Sequence, residues 1–407
     1  MNSELVEQGR QKIAWASTHM PLLNALKEEF EKSKPFAGKR LAMSIHLEAK
    51  TACLTLLLRA GGAEVFLTGS NPLSTQDEIV EALQGEEGLT VNARRGVSES
   101  EYVGCLRRSL EAEPDLFLED GGDMIALMLD AYPALCTSIL GGTEETTTGV
   151  SRLRAWESEG KLHFPVFAVN DAKMKSLIDN RYGTGQSVWD AILRTTNLLI
   201  AGKNVLIVGY GWCGRGIAMR ACGLGARVSI AEVDPIKAVE AVMDGYTVTS
   251  LLEGIKHADL LITATGGRDI LTEAVLQNVK DGLVIANASH FDHEIDRDAL
   301  GRFAETQSIV RPNIRQFRSK EGKCVYLIGE GKIVNLSAGD GHPVEIMDIS
   351  FALQALTLRY IVEHAPLDPG LHPVPRDVDE QVARLKLETM GVSLDTLTEA
   401  QRRYLGL

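Results

Sequence analysis

Between residue 38 and about residue 180, short runs of apolar and β-branched residues alternate with longer amphipathic runs. The short runs have the length and composition of buried strands; they are RLAMSIH, EVFLTGS, LTVNARR, DLFLED, LCTSIL and FPVFAVN. The longer runs between them have helical spacing. Repeated strand–helix units of this kind predict a parallel sheet covered by helices on both faces.

A second series of strand–helix units begins near residue 202 with NVLIVGYG, RVSIAEVD, YTVTS, ADLLITATGG and LVIANASHF. It predicts a second doubly wound sheet. After residue 342 the chain continues as an apolar helix, a proline-rich stretch with no expected partner strand, and a last amphipathic helix. The fold class is therefore α/β, with two Rossmann-like domains and a small helical tail that packs on the first domain or on another subunit.

Charge and cysteine content narrow the choice of partners. The 407 residues carry a formal net charge of −13, which argues against a nucleic acid or an anionic membrane because both need a basic surface. No targeting segment and no run of about 18 apolar residues is present, so we expect a cytoplasmic protein without membrane contact. The six cysteines are scattered without a C-x-x-C pair, and we expect neither disulfides nor a metal site.

A glycine motif follows the first strand of the second series. In VLIVGYGWCGRG, Gly209 permits a tight turn, Gly211 lets the backbone approach a pyrophosphate, and Gly214 lets the helix lie close to the strand. Glu232 ends the next strand, where a carboxylate accepts hydrogen bonds from ribose hydroxyls and repels a 2′-phosphate. The pattern predicts NAD rather than NADP. The alternative is a glycine-rich turn that binds no dinucleotide.

Ionisable and amide side chains follow five strands of the first sheet, whose carboxyl ends meet at one edge. They are His46, Asn71, Asp120, the pair Glu144 and Glu145, and the pair Asn170 and Asp171. One polar residue after a strand is more often a helix cap or a turn former. Five such strand ends at one edge predict a polar cleft.

Further ionisable residues lie close to that edge. Lys175 and Asp179 have i, i+4 spacing, which fits either a surface ion pair or a lysine kept charged and aimed at a ligand. Asn287 and His290 end a strand of the second sheet, and His342 lies on a glycine-rich loop where the chain returns to the first domain. Either histidine alone is more often structural. Two that face one site favour a catalytic role.

Along nearly its whole length the sequence resembles the S-adenosylhomocysteine hydrolase family. The matching stretches follow one another in order: SIHLEAKTA around His46, NPLSTQD (71–77), DGGD (120–123), EETTTG (144–149), VND (169–171), Lys175 with Asp179 and Asn180, the glycine turn, HFD (290–292), VN (334–335) and GHP (341–343). So many matches in order are far more specific than a generic dehydrogenase pattern.

The resemblance implies cleavage of a nucleoside thioether through transient oxidation of its ribose by NAD, elimination of homocysteine, addition of water and return of the hydride. It assigns catalytic roles by position: Lys175 and Glu145 at the 3′-hydroxyl, Asp120 and His46 at the 4′ and 5′ carbons, Asp179 on the ribose, Asn180 orienting Lys175, and His290 lining the closed site. It also places Thr146, Thr147 and Thr148 on the nicotinamide ribose and Asn335 on its carboxamide. From its strand end we add Asn287 as a cofactor-binding residue, and we expect the substrate to be bound by Glu48, Lys50, Gln76, His342 and Met347.

The resemblance and the strand pattern together divide the chain. We expect a substrate-binding domain at 1–180, completed by about 343–380, an NAD-binding domain at 181–342, and a tail at 381–407 at an oligomer interface. The domains would be joined at 180–183 and near 341 and would close on the substrate. We expect a homo-oligomer, tetramer or dimer, because helix 352–364 and the C-terminal segment are too apolar to be solvated and relatives are oligomers.

Three departures from the family pattern bear on function. The chain ends at YLGL, without the Lys/Tyr-containing tail that in many relatives reaches a neighbour's NAD site, which puts cofactor affinity in doubt. Thr184 stands where many relatives have a cysteine near the nicotinamide, so their redox sensitivity is not expected here. Glu48 and Lys50 stand where many relatives have Thr and Glu at the purine.

The residue at position 50 leaves two purine bases possible for the substrate. A lysine has three donors and no acceptor, so it suits the 6-oxo group of hypoxanthine better than the 6-amino group of adenine. This makes S-inosyl-L-homocysteine an alternative to S-adenosyl-L-homocysteine as substrate. Alternatively, Lys50 points to solvent, and Gln76, backbone amides and the apolar wall near Met347 hold adenine.

Two further alternatives belong to other classes of protein. One is an NAD-binding regulatory protein that has lost catalysis, although every polar strand-end residue that the chemistry needs is present. The other is an ordinary dehydrogenase, which would accumulate NADH instead of recycling a bound cofactor.

Overall fold

The computed structural model describes residues 3–406. The strands are, in chain order, β1 (Arg40–Ile45), β2 (Glu64–Gly69), β3 (Leu89–Val91), β4 (Leu116–Glu119), β5 (Gly141–Glu144), β6 (Pro165–Ala168), β7 (Asn204–Val208), β8 (Arg227–Ala231), β9 (Thr247–Val248), β10 (Leu260–Thr263), β11 (Leu283–Asn287), β12 (Thr306–Arg311), β13 (Ile314–Arg318), β14 (Cys324–Ile328) and β15 (Gly370–Pro373).

Helices connect most of these strands. They are α1 (Ser3–Thr18), α2 (Pro21–Ser33), α3 (Ala49–Ala60), α4 (Asp77–Leu83), α5 (Glu99–Glu111), α6 (Asp123–Ala131), α7 (Pro133–Ser138), α8 (Thr147–Ser158), α9 (Thr184–Thr196), α10 (Trp212–Gly223), α11 (Pro235–Met243), α12 (Leu251–Gly254), α13 (Glu273–Leu276), α14 (Arg297–Phe303), α15 (Val334–Ser337), α16 (Val344–His364), α17 (Arg376–Thr389) and α18 (Glu399–Leu405). A π-helical segment, Met174–Gly183, precedes α9. Within residues 3–406, no helix is long and apolar enough to cross a membrane.

The first sheet has seven parallel strands in the order β15-β6-β5-β4-β1-β2-β3. Strand β1 lies inside the sheet, between β2 and β4. Strands β2 and β3 are added on one side of β1, and β4, β5 and β6 are added on the other side. Such a switch in strand order opens a crevice at the carboxyl ends of the two strands. His46 and Asp120 follow β1 and β4 and therefore flank this crevice.

The second sheet has the order β12-β13-β14-β11-β10-β7-β8-β9. In its parallel part, β8 and β9 lie on one side of β7 and β10 and β11 on the other, so the strand order reverses at β7. The turn after β7 therefore lies at the second crevice. The predicted α/β class with two Rossmann-like sheets is confirmed. The sheet is mixed, however, because β13 pairs antiparallel with both β12 and β14, and the sequence analysis did not predict these three strands.

The predicted strand LCTSIL is wrong. Pro133 starts the short helix α7, which covers most of that run, and the strand that follows consists of Gly141-Gly142-Thr143-Glu144. Glycine is needed in this strand because a Cβ at Gly142 would lie 2.4 Å from Phe117 of the neighbouring strand. Close packing between β4 and its neighbour thus overrides the low strand propensity of glycine.

The C-terminal part also differs from the prediction. The proline-rich stretch does have a partner strand, since β15 pairs parallel with β6 and completes the first sheet. Helix α16 is buried within the same chain, between α2, α3 and α17, so its apolar residues do not require another subunit. The boundary expected at residue 381 falls inside α17, whose Val378 and Val382 are buried against the first domain.

Candidate active site

One cavity of about 1190 Å³ runs between the carboxyl ends of the two sheets. Pockets for one drug-sized ligand measure roughly 300–1000 Å³, so this cavity exceeds the usual size of a pocket for a single small ligand. Most of the residues predicted for the site line it: His46, Glu48, Lys50, Asp120, Glu145, Thr146, Thr147, Thr148, Lys175, Asn180, Gly209, Gly211, Glu232, His290, Asn335, His342 and Met347.

The glycine turn has the geometry that the sequence predicts. Gly209 has a φ of +100°, and a Cβ there would lie 2.6 Å from the carbonyl oxygen of Ala264 after β10. A Cβ at Gly214 would lie 2.0 Å from the carbonyl oxygen of Gly209, so only glycine lets α10 start this close to the turn. No atom lies within 4 Å of the Cβ position at Gly211 in the described structure, which leaves the backbone open to a phosphate.

Residues at both ends of the second crevice fit NAD. The Glu232 carboxylate accepts backbone hydrogen bonds from Tyr210 (2.6 Å) and Val233 (2.7 Å), which fix it beside the turn. Burial raises the pKa of Glu232, but the backbone N–H groups of Asp234, Tyr210 and Val233 outweigh burial and lower it, so the group is anionic. At the other end Asn335 donates to Ser187 (3.0 Å), while its buried Oδ1 has no partner among residues 3–406. A carboxamide N–H of nicotinamide would satisfy that oxygen.

A buried ion network surrounds Lys175. Its Nζ lies 2.8 Å from Glu145 Oε1 and 2.9 Å from Asp179 Oδ2. Burial alone would lower the pKa of Lys175, but the two carboxylates outweigh burial and raise it above its usual value. Burial is also the main cause that raises the pKa of Glu145, against the effect of Lys175. The lysine is therefore a permanent cation, and Glu145 is the member of the pair suited to accept a proton.

His46, Asp120 and His290 meet where the two domains face each other. His46 Nε2 lies 3.5 Å from Asp120 Oδ2, and His290 Nδ1 lies 3.9 Å from Asp120 Oδ1. Burial lowers the pKa of His46 to about 4, although the Asp120 carboxylate opposes this, so His46 is neutral at physiological pH. Its Nδ1 lies 2.6 Å from the hydroxyl of Ser74, which donates to the carbonyl of Asn71 (3.0 Å). A Ser74 hydroxyl that donates to Asn71 can accept a hydrogen bond from Nδ1–H, and in that tautomer Nε2 is an acceptor beside Asp120.

The same three residues also have a spacing that can hold a metal ion. One ligand atom from each of His46, Asp120 and His290 lies within 4.8 Å of the others. The family resemblance implies proton-transfer roles for His46 and Asp120 and a place for His290 in the lining of the closed site, roles that need no metal ion. The expectation that the protein uses no metal stays a prediction.

Lys50 is buried and does not point to solvent. Its Nζ donates to the carbonyl oxygen of Asp340 (2.9 Å) and lies 3.1 Å from Glu48 Oε2. The Glu48 carboxylate caps α3 by accepting the backbone N–H groups of Lys50 (3.0 Å) and Thr51 (3.3 Å). Since the ammonium has three hydrogens, one remains free to donate into the cavity.

Four predicted site residues do not line the cavity: Asp179, Asn287, Gln76 and Gly214. Asp179 is fully buried and paired with Lys175 and with His342 Nδ1 (2.7 Å), so it supports these groups instead of holding the ribose. Asn287 is also fully buried and donates to the carbonyls of Phe291 (2.9 Å) and Gly331 (3.0 Å), which fixes the His290 loop from behind the cavity wall.

The other corrections concern two amides. Gln76 lies in a separate polar cavity, where its Oε1 accepts from Lys12 (3.2 Å), and not in the cavity that holds Lys50. Asn180 donates to Asn170 Oδ1 (3.0 Å), and the two carboxylates orient Lys175 in its place. Gly214 does not line the cavity either, in agreement with its predicted packing role.

Comparison with known proteins gives a consistent result. A family model for S-adenosyl-L-homocysteine hydrolase matches residues 1–132, and one for the NAD binding domain of S-adenosyl-L-homocysteine hydrolase matches residues 180–341. The adenosylhomocysteinase of Thermotoga maritima is 54% identical over 98% of both chains. The S-inosyl-L-homocysteine hydrolase of Methanopyrus kandleri is 53% identical over 98% of this chain and 95% of the relative.

The chain belongs to the S-adenosyl-L-homocysteine hydrolase family. The resemblance seen in the sequence is thereby confirmed, and the protein is an NAD-using hydrolase of this family. The match at residues 180–341 includes the glycine turn and Glu232, which confirms NAD as the cofactor.

Some residues that support the site were missed from the sequence. Ser350 donates to Asp179 (2.5 Å), and Gln354 donates to Glu145 (2.5 Å), both from α16. Their signal was available, because Ser350 and Gln354 are the two polar residues, four positions apart, in the otherwise apolar run ISFALQAL (349–356). Ser74 lies inside the matching stretch 71–77 and contacts His46, but its neighbours gave no hint of that contact.

Replacing Glu232 with lysine should deplete the purified protein of NAD. The change removes the ribose acceptor and its contacts with the backbone of the glycine turn, and it adds a cation that attracts a 2′-phosphate. Cofactor content after denaturation and the dissociation constants of NAD and NADP measure the effect. Glu321→Lys makes the same charge change at an exposed site and is the control. Equal binding of NAD and NADP by the parent protein would show that Glu232 does not discriminate between a ribose 2′-hydroxyl and a 2′-phosphate.

Proposed function

We propose that this protein reversibly hydrolyses S-adenosyl-L-homocysteine to adenosine and L-homocysteine, a step of one-carbon metabolism that recycles S-adenosylmethionine. One observation carries the proposal: a single cavity joins the glycine turn and Glu232 to the Lys175 cation and to the proton-accepting groups Glu145 and Asp120. Relatives of about half identity over nearly the full chain are named adenosylhomocysteinase, which supports the same reaction.

The Lys175 network serves the ribose 3′-hydroxyl. Bound NAD supplies a reversible hydride acceptor at the 3′ carbon. The Lys175 ammonium donates a hydrogen bond to the 3′ oxygen and stabilises the negative charge that develops there, while Glu145 accepts the hydroxyl proton. Asp179 and Ser350 keep the ammonium in place.

His46 and Asp120 serve the 4′ and 5′ carbons. Once the 3′ carbon is a ketone, the 4′ hydrogen is acidic, and a base on this side of the cleft removes it before homocysteine leaves. Asp120 lies between His46 and His290 and can take and return that proton. Neutral His46, with Nε2 facing the cleft, then activates the water that adds at the 5′ carbon. The two domains exclude other water from the keto intermediate.

The test is a thiol-release assay with S-adenosyl-L-homocysteine combined with absorbance of NADH. We expect homocysteine and adenosine in equal amounts, with enzyme-bound NADH never exceeding one per site. Net accumulation of NADH would identify a dehydrogenase. No turnover with several nucleoside thioethers would identify an NAD-binding regulatory protein.

A second candidate substrate, S-inosyl-L-homocysteine, is favoured by Lys50. Its ammonium lines the cavity with one hydrogen free, a donor that matches a 6-oxo group. The relatives also include enzymes named S-inosyl-L-homocysteine hydrolase. Glu48, an acceptor beside Lys50, keeps adenine as the first choice because it can receive the 6-amino group.

We further propose a homo-oligomer, either a tetramer or a dimer. Exposed apolar side chains support it, on α11 (Ile236, Val239, Met243) and in the C-terminal segment (Leu394, Leu405). Light scattering at micromolar concentration measures the mass, and a monomer would refute the proposal. The cytoplasmic location stays a prediction.

A further inference from the structure

Two buried glutamates lie directly beneath the catalytic loops. Glu119 ends β4 and Glu144 ends β5, and they are registered partners on adjacent strands. Both are fully buried, and neither lines the cavity. The residues that follow them, Asp120 and Glu145, are the ones to which the proposed mechanism assigns proton transfer.

The two carboxyls hold the backbone of these loops. Glu144 Oε1 accepts hydrogen bonds from Gly121 N and Thr146 N, both at 2.9 Å, and so joins the loop of Asp120 to the loop of Glu145. Glu119 accepts hydrogen bonds from Asp120 N (3.1 Å) and from Met124 N (2.9 Å) at the start of α6. The Glu144 side chain thus holds the peptide group that follows Asp120 and the peptide group that follows Glu145.

The neighbouring helix leaves space for this carboxyl. A Cβ at Gly149 of α8 would lie 2.1 Å from the carboxyl carbon of Glu144 and within 2.4 Å of both its oxygens. Any larger residue at 149 would displace the side chain. The Glu144 carboxyl group therefore occupies the space that a side chain at position 149 would fill.

The charges around Glu144 favour its neutral form. Burial, followed by the Glu119 and Asp120 carboxylates, raises the pKa of Glu144 well above its usual range. Burial, followed by Asp123, raises the pKa of Glu119 to about 8. Glu144 Oε2 has no hydrogen-bond partner among residues 3–406, which would be costly for an ionised carboxylate. A neutral carboxyl still accepts two amide hydrogens through its carbonyl oxygen.

We propose that Glu144 is a positioning residue that locks the Asp120 and Glu145 loops into one geometry by accepting two backbone hydrogen bonds. The inference rests on the proposed function, since it concerns the residues to which that reaction assigns proton transfer. A positioning error of about 1 Å can cost a hundredfold in rate, so loss of the two hydrogen bonds should be visible in turnover.

The test compares Glu144→Leu with Glu144→Gln. Both variants are uncharged and of similar size, but only glutamine offers an oxygen to Gly121 N and Thr146 N. We expect Glu144→Leu to lower kcat at least tenfold with KM for the thioether changed less than about threefold, and Glu144→Gln to restore most of kcat. Crystal structures should show both amides still bonded in the glutamine variant and displaced in the leucine variant.

Gly149→Ala provides an independent perturbation if the leucine variant does not fold. Its Cβ displaces the carboxyl, so kcat should fall as in Glu144→Leu, while Gly104→Ala in α5, where a Cβ meets nothing closer than 3.7 Å, should match the parent. Parental kcat in Glu144→Leu or Gly149→Ala, or a glutamine variant as slow as leucine, would overturn the inference. Absence of thiol release by the parent itself would instead reject the proposed function, and the crystal structures would still decide whether Glu144 holds the two loops.

Discussion

Replacing Lys175 with alanine is expected to lower turnover by roughly a hundredfold or more and to abolish the burst of enzyme-bound NADH. The ammonium is held between Glu145 and Asp179, and in the proposed reaction it donates to the 3′ oxygen, so its loss would remove the charge that stabilises the developing alkoxide. Oxidation of the ribose is then the step that fails. Rapid mixing with substrate, followed at the absorbance of NADH, measures the burst.

Asp120→Asn should be similarly slow overall but should keep most of the burst. Asp120 lies with His46 and His290, where the proposed reaction places the 4′ and 5′ carbons. Oxidation can proceed without it, so NADH forms and homocysteine release stalls. An identical burst in both variants would contradict the assignment of two separate steps.

Two controls separate catalysis from stability in these variants. Lys173→Ala and Asp130→Asn make the same changes at exposed positions close in sequence and should behave like the parent. Removing Lys175 also leaves two buried carboxylates without their cation, and breaking a buried pair typically costs about 3–5 kcal/mol. Bound NAD and thermal unfolding should therefore be measured alongside the burst, so that only folded protein is compared.

The strand-end rule explains why much of the site could be predicted from sequence. In a parallel sheet the carboxyl ends share one edge, so His46 and Asp120 had to lie near each other once β1 and β4 were recognised. Glu232 was found for the same reason at the end of β8. These inferences need only the strand pattern and the direction of the strands.

Contacts made by side chains far apart in sequence could not be predicted in this way. Asn287 follows the strand-end rule, yet its side chain turns back to bond its own loop and does not line the cavity. Gln354 contacts Glu145 from a helix 209 positions later in the chain, and periodicity does not reveal that partner. Burial of α16 depends likewise on its own sheet, where the sequence suggested a second subunit.

The base specificity depends on Lys50, and we expect Lys50→Glu to change it. The ratio of kcat/KM for the inosyl thioether to that for the adenosyl thioether should fall at least tenfold, or about 1.4 kcal/mol, because a donor facing a 6-oxo group becomes an acceptor. A buried purine edge facing the wrong partner leaves a polar group without a hydrogen bond. Steady-state kinetics with both thioethers give the ratio.

The surroundings of Lys50 call for a second variant. In Lys50→Glu the new carboxylate would stand beside Glu48 and the carbonyl of Asp340, both of which now accept from the ammonium, so repulsion alone could lower both rates. The double substitution Glu48→Thr with Lys50→Glu, the pair that many relatives have, removes that repulsion, and threonine can still cap α3. Lys50→Met removes the ammonium without adding a charge.

The pattern across the three variants decides which group reads the base. If Lys50 reads the base, Lys50→Met weakens the inosyl thioether alone, and the double variant combines a low inosyl rate with a high adenosyl rate. If Lys50 only bridges α3 to the loop of Asp340, all three variants change the two rates in parallel, because the contact with the Asp340 carbonyl is lost whichever purine is bound. A constant ratio would therefore remove the inosyl candidate and leave Glu48 as the group that faces adenine.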